Sequence, residues 1–242
     1  MERSLAGKIA VVTGASSGIG KAISQKLALM GCRLVLAGRD ETRLSDLAAE
    51  LGEGAIWVSS DLAHANQIDD LVDRSLKEFG RIDIVVANAG IFNNLPVAES
   101  DPSEITQMVN INLTSVMLLT QAVLAQMSQQ QSGEILMIGS IAGVADMRNE
   151  AVYSGTKHGV NAYARSLRRQ VAKDGIRVGS ILPGTVATEL WGEIDAAKVD
   201  AQVAAGEVLR PGDIAKIAAF MLQQPANVAL REIVVLPHAQ DI

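Results

Sequence analysis

The chain has 242 residues, of which 48% are hydrophobic and 20% are charged, a composition that excludes a disordered or low-complexity protein. Its net charge is −6, with 21 Lys and Arg against 27 Asp and Glu, which argues against a nucleic-acid partner or a polybasic membrane contact. The single cysteine excludes an internal disulfide framework. Residues 1–7 lack an apolar signal core, and no unbroken apolar stretch is long enough to span a membrane. We therefore expect a cytoplasmic protein.

Short apolar runs alternate with helical patterns along the whole chain. The runs cover residues 9–12, 34–37, 56–58, 82–87, 135–138, 178–182 and 233–236. The helical patterns cover residues 19–30, 41–51, 65–79, 103–129, 152–173 and 211–223. Apart from Asp83 and Ser180, the runs are apolar without alternation, which is typical of parallel strands covered by helices on both faces. This order predicts a single domain over residues 1–242 with a three-layer α/β/α fold, a Rossmann-type, doubly wound, seven-stranded parallel sheet.

A glycine-rich turn follows the first predicted strand and opens the first predicted helix. Its residues are Thr13, Gly14, Ala15, Ser16, Ser17, Gly18, Ile19 and Gly20. Glycines let a backbone approach a pyrophosphate closely, and the free N–H groups of a helix N-terminus bind it. A phosphate loop of the Gly-x-x-x-x-Gly-Lys-Ser/Thr type has a different spacing and needs a hydroxyl residue at position 22, which is Ala22 here. The turn therefore predicts a dinucleotide site, with a plain tight turn as the structural alternative.

The end of the second predicted strand bears on the choice of cofactor. An acid at this position would accept a hydrogen bond from a ribose 2′-hydroxyl, but the chain has Gly38 there, followed by Arg39. A guanidinium can pair with a 2′-phosphate through two hydrogen bonds. The pair favours NADP(H) over NAD(H). NAD(H) remains an alternative, in which Arg39 is a solvated charge or Asp40 binds the ribose.

Tyr153 and Lys157 are spaced four residues apart in a predicted helix and so lie on one face. A free phenol has a pKa near 10, which makes tyrosine a poor acid–base group at neutral pH. An ammonium beside it stabilises the phenolate, so we expect Lys157 to lower the pKa of Tyr153. The pattern alone is weak, because a surface tyrosine packed on a lysine stem has the same spacing.

Several motifs occur together in the order found in one enzyme family. They are the turn at 13–20, Asp61-Leu62, Asn88-Ala89-Gly90, Asn112, Ser140, Tyr153 with Lys157, and Pro183-Gly184-Thr185-Val186-Ala187-Thr188. Over residues 5–237 the chain resembles the short-chain dehydrogenase/reductase family, in its short single-domain branch. It departs from the family pattern at Ala87, where an asparagine is usual, and after the last strand. There Leu236-Pro237-His238 replaces an Asp-Gly-Gly ending.

The resemblance implies four catalytic residues. Tyr153 would be the general acid in carbonyl reduction and the base in alcohol oxidation. Lys157 would lower the Tyr153 pKa and hold the nicotinamide ribose, and Ser140 would hydrogen-bond the substrate oxygen. Asn112 would bend its helix and hold a water that leads from Lys157 to solvent.

The resemblance also implies which residues contact the cofactor and the substrate. The cofactor residues would be Gly14, Ser16, Ser17, Gly18, Ile19, Gly20, Arg39, Asp61, Leu62, Asn88, Ala89, Gly90, Tyr153, Lys157, Pro183, Gly184, Val186 and Thr188. The substrate would contact Ser140, Tyr153 and Trp191, under a mobile lid formed by residues 188–210.

The predicted function is an NAD(P)-dependent oxidoreductase that interconverts a carbonyl compound and an alcohol. A dinucleotide-binding regulator without catalysis and a lyase or epimerase on the same fold are alternatives, and among oxidoreductases so is a 3-oxoacyl thioester reductase. The three histidines show no metal-ligand spacing, and we expect no metal. In the family, the helices that match residues 103–129 and 152–173 form a two-fold interface. The resemblance therefore predicts a homodimer or homotetramer with Ala162, Leu167 and Val171 among the buried contacts.

Overall fold

The computed structural model describes residues 3–92, 96–145, 147–191 and 195–242. Seven strands form one parallel sheet in the order β3-β2-β1-β4-β5-β6-β7. They are β1 (Ile9–Thr13), β2 (Arg33–Gly38), β3 (Ala55–Ser59), β4 (Ile84–Ala87), β5 (Gly133–Ile138), β6 (Ile176–Pro183) and β7 (Glu232–Val235). Each contains or overlaps one predicted apolar run. The predicted doubly wound, seven-stranded parallel sheet is confirmed.

Helices cover both faces of the sheet. They are α1 (Gly18–Leu29), α2 (Glu41–Leu51), α3 (Ala65–Phe79), α4 (Pro102–Val109), α5 (Ser115–Gln130), α6 (Ala151–Val171), α7 (Ala196–Ala204) and α8 (Pro211–Leu222). Apolar residues of α1, α2 and α8 pack in one core cluster, and those of α3, α5 and α6 pack in a second. The strands between the two clusters are buried on both faces, which explains why their sequences are apolar without alternation.

Two helical segments differ from the prediction. The helix predicted over 103–129 is interrupted by a π-helical turn at Asn110–Thr114, which separates α4 from α5. The predicted lid contains a helix, α7, that was not predicted and that has no fully buried residue. Residues 192–194 of that segment lie outside the described residues.

The long apolar helical stretch Pro102–Gln130 meets the length and composition of a membrane span. Its side chains Leu119, Val123 and Met127 are buried against the sheet, so packing in the core explains its composition.

Packing also corrects one prediction about α6. Leu167 and Val171 are already buried in the chain's own core, so they are not free to contact a second subunit, whereas Ala162 is exposed.

Candidate active site

A cleft of about 540 Å³ opens at the carboxyl ends of the strands, where the chain order reverses between β1 and β4. In open parallel sheets this is the position at which ligands bind. Most of the predicted site residues line the cleft: Gly14, Ser16, Ser17, Gly18, Ile19, Arg39, Asp61, Leu62, Asn88, Ala89, Gly90, Ser140, Tyr153, Lys157, Pro183, Gly184, Val186 and Thr188. Loops that are far apart in the sequence thus meet at one edge of the sheet.

Three predicted site residues are not part of this lining. Gly20 and Asn112 lie behind it, against residues of the lining. The side chain of Trp191 lies outside what the structure describes, so its contact with a substrate remains a prediction.

Close packing explains the glycines of the turn after β1. Gly14 has a φ of +62° and Gly18 a φ of +50°, values that residues with a Cβ rarely adopt. A Cβ at Gly20 would collide with the Gly14 carbonyl oxygen. The Asn88 amide braces the turn by donating to the carbonyl oxygens of Thr13 (2.9 Å) and Gly14 (3.3 Å). Helix α1 begins at Gly18 without a side-chain cap, which leaves its first N–H groups available to an anion in the cleft.

The corner of the cleft at the end of β2 is formed by Ser16, Gly38 and Arg39. A Cβ at Gly38 would lie 3.5 Å from Ser16 Oγ, an ordinary contact distance. Asp40 is not part of the lining, because it caps α2: Oδ1 accepts from the Arg43 backbone N–H at 3.0 Å and Oδ2 lies 3.2 Å from Arg43 Nε. The corner therefore presents a guanidinium and a hydroxyl, with the Asp40 carboxylate engaged elsewhere.

Ser140, Tyr153 and Lys157 meet at the end of β5. Ser140 lies two residues after the end of the strand, and its Oγ accepts from the Ala142 backbone N–H at 3.1 Å. Tyr153 and Lys157 lie one turn apart on α6, with Lys157 Nζ 5.5 Å from the Tyr153 ring centroid. Lys157 Nζ donates to the Ile138 carbonyl oxygen at 3.1 Å. A hydroxyl, a phenol and an amine, all buried, thus line one end of the cleft.

Asn112 holds the loop after β4 from behind. Its Oδ1 accepts from the Ile91 backbone N–H at 2.8 Å, and its Nδ2 donates to the Ile91 carbonyl oxygen at 2.8 Å. A Cβ at Gly90 would lie 3.3 Å from Asn112 Oδ1 and 3.7 Å from Lys157 Nζ, so these groups crowd the same space. The π-helical turn places Asn112 here, in keeping with the frequent occurrence of such turns at functional sites.

The acid–base groups are perturbed mainly by burial. Burial raises the pKa of Tyr153 to about 12, the Ser140 hydroxyl opposes this, and the negative charge of Glu150 adds to it. Burial lowers the pKa of Lys157 to about 8. For the chain by itself the net shift of the Tyr153 pKa is upward, because desolvation of the phenol is the largest cause, and the predicted lowering by Lys157 stays a prediction.

Glu150 and Gln240 line the cleft but were not predicted from the sequence. Glu150 is the N-cap residue of α6, three residues before Tyr153, and lies outside the helix predicted over 152–173. Burial raises the pKa of the Glu150 carboxyl. Gln240 follows the last strand and carries no local signal. Among the described residues, no group of three or more His, Cys, Asp or Glu side chains is placed to hold a metal ion.

Comparison with known proteins agrees with this geometry. A family model described as "short chain dehydrogenase" matches residues 8–199. An uncharacterized oxidoreductase of Staphylococcus saprophyticus is 38% identical over 234 residues, covering 95% of this chain and 97% of the relative. An uncharacterized oxidoreductase of Staphylococcus epidermidis is 35% identical over 233 residues, covering 95% and 97%.

Solved structures with the same architecture include two enzymes of stated activity. An alcohol dehydrogenase from the archaeon Thermococcus sibiricus, complexed with 5-hydroxy-NADP, superposes with a TM-score of 0.88 at 29% identity over 97% of this chain and 98% of that one. A 3-ketoacyl-(acyl-carrier-protein) reductase from Brucella melitensis, complexed with NADH, gives 0.89 at 29% identity over 97% and 99%. Because a family model and relatives above 30% identity cover most of its length, the chain belongs to the short-chain dehydrogenase family of oxidoreductases.

Proposed function

We propose that the protein interconverts a carbonyl compound and an alcohol with a nicotinamide cofactor, and that it prefers NADP(H) to NAD(H). The observation that carries this proposal is the meeting of Ser140, Tyr153 and Lys157 in the same cleft as the glycine-rich turn. The cofactor, when bound, supplies or accepts the hydride. A regulator without catalysis would not need a phenol, an amine and a hydroxyl buried at one point.

Tyr153 donates the proton to the substrate oxygen during reduction. With a pKa raised to about 12 by burial, it is protonated at neutral pH, which is the donor form. Ser140 hydrogen-bonds the same oxygen and stabilises its developing negative charge. Lys157 holds the nicotinamide ribose hydroxyls and faces the Tyr153 ring. Asn112 fixes the loop that separates it from Lys157.

The remaining cleft residues divide along the dinucleotide. The first N–H groups of α1, at Gly18 and Ile19, bind the pyrophosphate, and Ser16 with Arg39 binds the 2′-phosphate. The adenosine half contacts Asp61, Leu62, Asn88, Ala89 and Gly90. The nicotinamide half contacts Pro183, Gly184, Val186 and Thr188. A metagenomic short-chain oxidoreductase solved with NADP has the same fold, with a TM-score of 0.83 at 30% identity over 98% of this chain and 100% of that one, which supports NADP(H) as the cofactor.

Cofactor preference is tested by the ratio of kcat/KM for NADPH and NADH. Charge-assisted hydrogen bonds to the 2′-phosphate are worth about 1.5–3 kcal/mol, so the wild type should favour NADPH by roughly ten- to a hundredfold. The double variant Gly38→Asp, Arg39→Leu should reverse the preference, and a Cβ at Gly38 meets its neighbours only at ordinary contact distances. Asp40→Asn is the matched control and should leave the ratio unchanged. A wild type that uses NADH better would contradict the role of Arg39.

The reaction is tested by following NADPH oxidation against a panel of ketones, aldehydes, hydroxy acids, sugars and 3-oxoacyl thioesters. Turnover of any carbonyl substrate supports the proposal. A 3-oxoacyl thioester as the best substrate would favour a 3-oxoacyl thioester reductase, the activity stated for the Brucella structure. A protein that binds NADPH but turns over none of these substrates would favour the regulator. We also propose a homodimer or homotetramer, which light scattering at micromolar concentration would contradict by showing a monomer.

A further inference from the structure

Segment 237–242 leaves β7 and returns to the cleft. This is the part of the chain where the family's Asp-Gly-Gly ending is missing. The Gln240 backbone N–H donates to the Pro237 carbonyl oxygen at 3.1 Å, which closes a turn. The turn brings Gln240 to the wall of the cleft beside Thr185.

The Gln240 side chain docks on the loop after β6. Its Oε1 accepts from the Thr185 backbone N–H at 3.0 Å. A Cβ at Gly184 would collide with Gln240 Oε1 and would lie 2.9 Å from Pro237 Cδ. Gly184 is therefore required for this docking, and the two residues are matched in shape.

The peptide groups around Thr185 are held from two sides. The Thr185 carbonyl oxygen accepts from the Leu209 backbone N–H at 2.9 Å, while its N–H is bound to Gln240. Segment 237–242 also reaches the residues after α7, because the Ala239 N–H donates to the Gly206 carbonyl oxygen at 2.9 Å. The segment thus connects the loop 183–188 with the chain that follows α7.

We infer that Gln240 is a positioning residue that orders the loop 183–188 for the nicotinamide half of the cofactor. The inference rests on the proposed function, which assigns that loop to the nicotinamide. Gln240 fixes the Thr185 peptide before the cofactor arrives, so binding does not have to order it. The adenosine half binds at the other end of the cleft and gains nothing from this contact.

The test compares two ligands by titration calorimetry: NADPH and 2′-phosphoadenosine diphosphoribose, which is the same molecule without its nicotinamide. Gln240→Ala loses the hydrogen bond to the Thr185 backbone N–H. It should bind NADPH about three- to tenfold more weakly than the wild type does and bind 2′-phosphoadenosine diphosphoribose equally well. Gln240→Glu retains the acceptor oxygen, and its added charge repels both anionic ligands, so it should keep the wild-type ratio of the two affinities. Asp241→Ala, an exposed neighbour, is the matched control.

Hydrogen exchange gives a readout that needs no ligand. The Thr185 amide should exchange faster in Gln240→Ala than in the wild type, Gln240→Glu or Asp241→Ala. Equal loss of affinity for both ligands in Gln240→Ala, or unchanged exchange at Thr185, would overturn the inference. A wild type that binds neither ligand would instead overturn the proposed cofactor site, and with it the nicotinamide role of Gln240.

Discussion

The two ends of the parallel strands differ in how buried charges are paired. We call the side where the strands begin the amino edge and the side where they end, which holds the cleft, the carboxyl edge. At the amino edge, Asp83 accepts from Lys8 Nζ at 3.0 Å, from Arg81 Nη2 at 2.7 Å and from the Ile9 backbone N–H at 3.0 Å. Burial would raise the pKa of Asp83, but these hydrogen bonds outweigh it and hold the pKa below its usual value. At the carboxyl edge, Lys157 is buried with a carbonyl oxygen as its hydrogen-bond partner and no carboxylate in an ion pair, among the described residues.

The pairing of buried charges thus contributes to stability at one end of the strands, and the unpaired lysine lies at the other end, in the candidate active site. Paired charges at the amino edge lock strands, helix ends and the first residues together. The carboxyl edge keeps the Lys157 amine charged at neutral pH although burial disfavours that form, which costs stability and is typical of active sites. The three predictions below test this contrast, from the largest expected effect to the smallest.

Arg177→Met should lower the free energy of unfolding by removing a buried ion pair at the amino edge. The Arg177 guanidinium binds both Glu134 carboxylate oxygens at 2.7–3.0 Å and donates to the carbonyl oxygens of Gln224, Pro225 and Val228. Removing one partner of a buried ion pair costs about 3–5 kcal/mol, which urea unfolding should show as a lower free energy of unfolding. Activity below the transition should persist. Lys216→Met, at an ion pair whose lysine is 73% exposed, should change stability by less than about 0.5 kcal/mol, and equal losses in the two variants would break the comparison.

Lys157→Met tests whether the buried lysine at the carboxyl edge costs stability. Burial lowers the Lys157 pKa from 10.5 to about 8, so below pH 8 the folded protein holds a charge that the unfolded chain holds more easily. The penalty is about 3 kcal/mol at pH 7 and is relieved as pH rises from 8 to 10.5. The wild type should therefore gain about 3 kcal/mol of stability relative to the variant between pH 7 and pH 10.5, measured by denaturant unfolding at each pH. A constant difference across that range would contradict the assigned cost, and turnover should be lost in the variant at every pH.

Glu150→Gln should have the smallest effect. The negative charge of Glu150 is one of the causes that raise the Tyr153 pKa. Removing it should lower that pKa, so carbonyl reduction, which needs the protonated phenol, should decline at a lower pH than in the wild type. Alcohol oxidation, which needs the phenolate, should begin at a lower pH. The measurement is the pH profile of kcat in both directions, and a shift to higher pH would contradict the electrostatic role of Glu150.

The sequence predicted the sheet and much of the cleft because both depend on local patterns. Apolar runs identify strands that are covered on both faces, and glycine or polar residues just after a run identify the edge where ligands bind. Helix α7 was missed although Val199 and Val203 are spaced as on one helix face, because the segment was interpreted as a mobile lid. The π-helical turn at Asn110–Thr114 escaped because its residues also suit an ordinary α-helix.

Other properties of the site depend on distant parts of the chain and could not be predicted. The docking of Gln240 on Thr185 joins residues 55 positions apart, with no motif to announce it. The raised pKa of Tyr153 depends on how completely the fold desolvates the phenol, which the Tyr-x-x-x-Lys spacing does not report. Motif spacing thus located the chemical groups, while their protonation required the packed structure.

The central claim is that Tyr153 is the proton donor of a nicotinamide-dependent carbonyl reductase. It is tested most directly by measuring NADPH affinity and turnover on the same preparation of Tyr153→Phe, with the best carbonyl substrate of the wild type. The substitution keeps the ring that packs edge-on against Phe92, with 5.0 Å between centroids, and removes only the hydroxyl. We predict unchanged NADPH affinity and an unchanged unfolding midpoint, with turnover lost. Turnover comparable to that of the wild type would contradict the account.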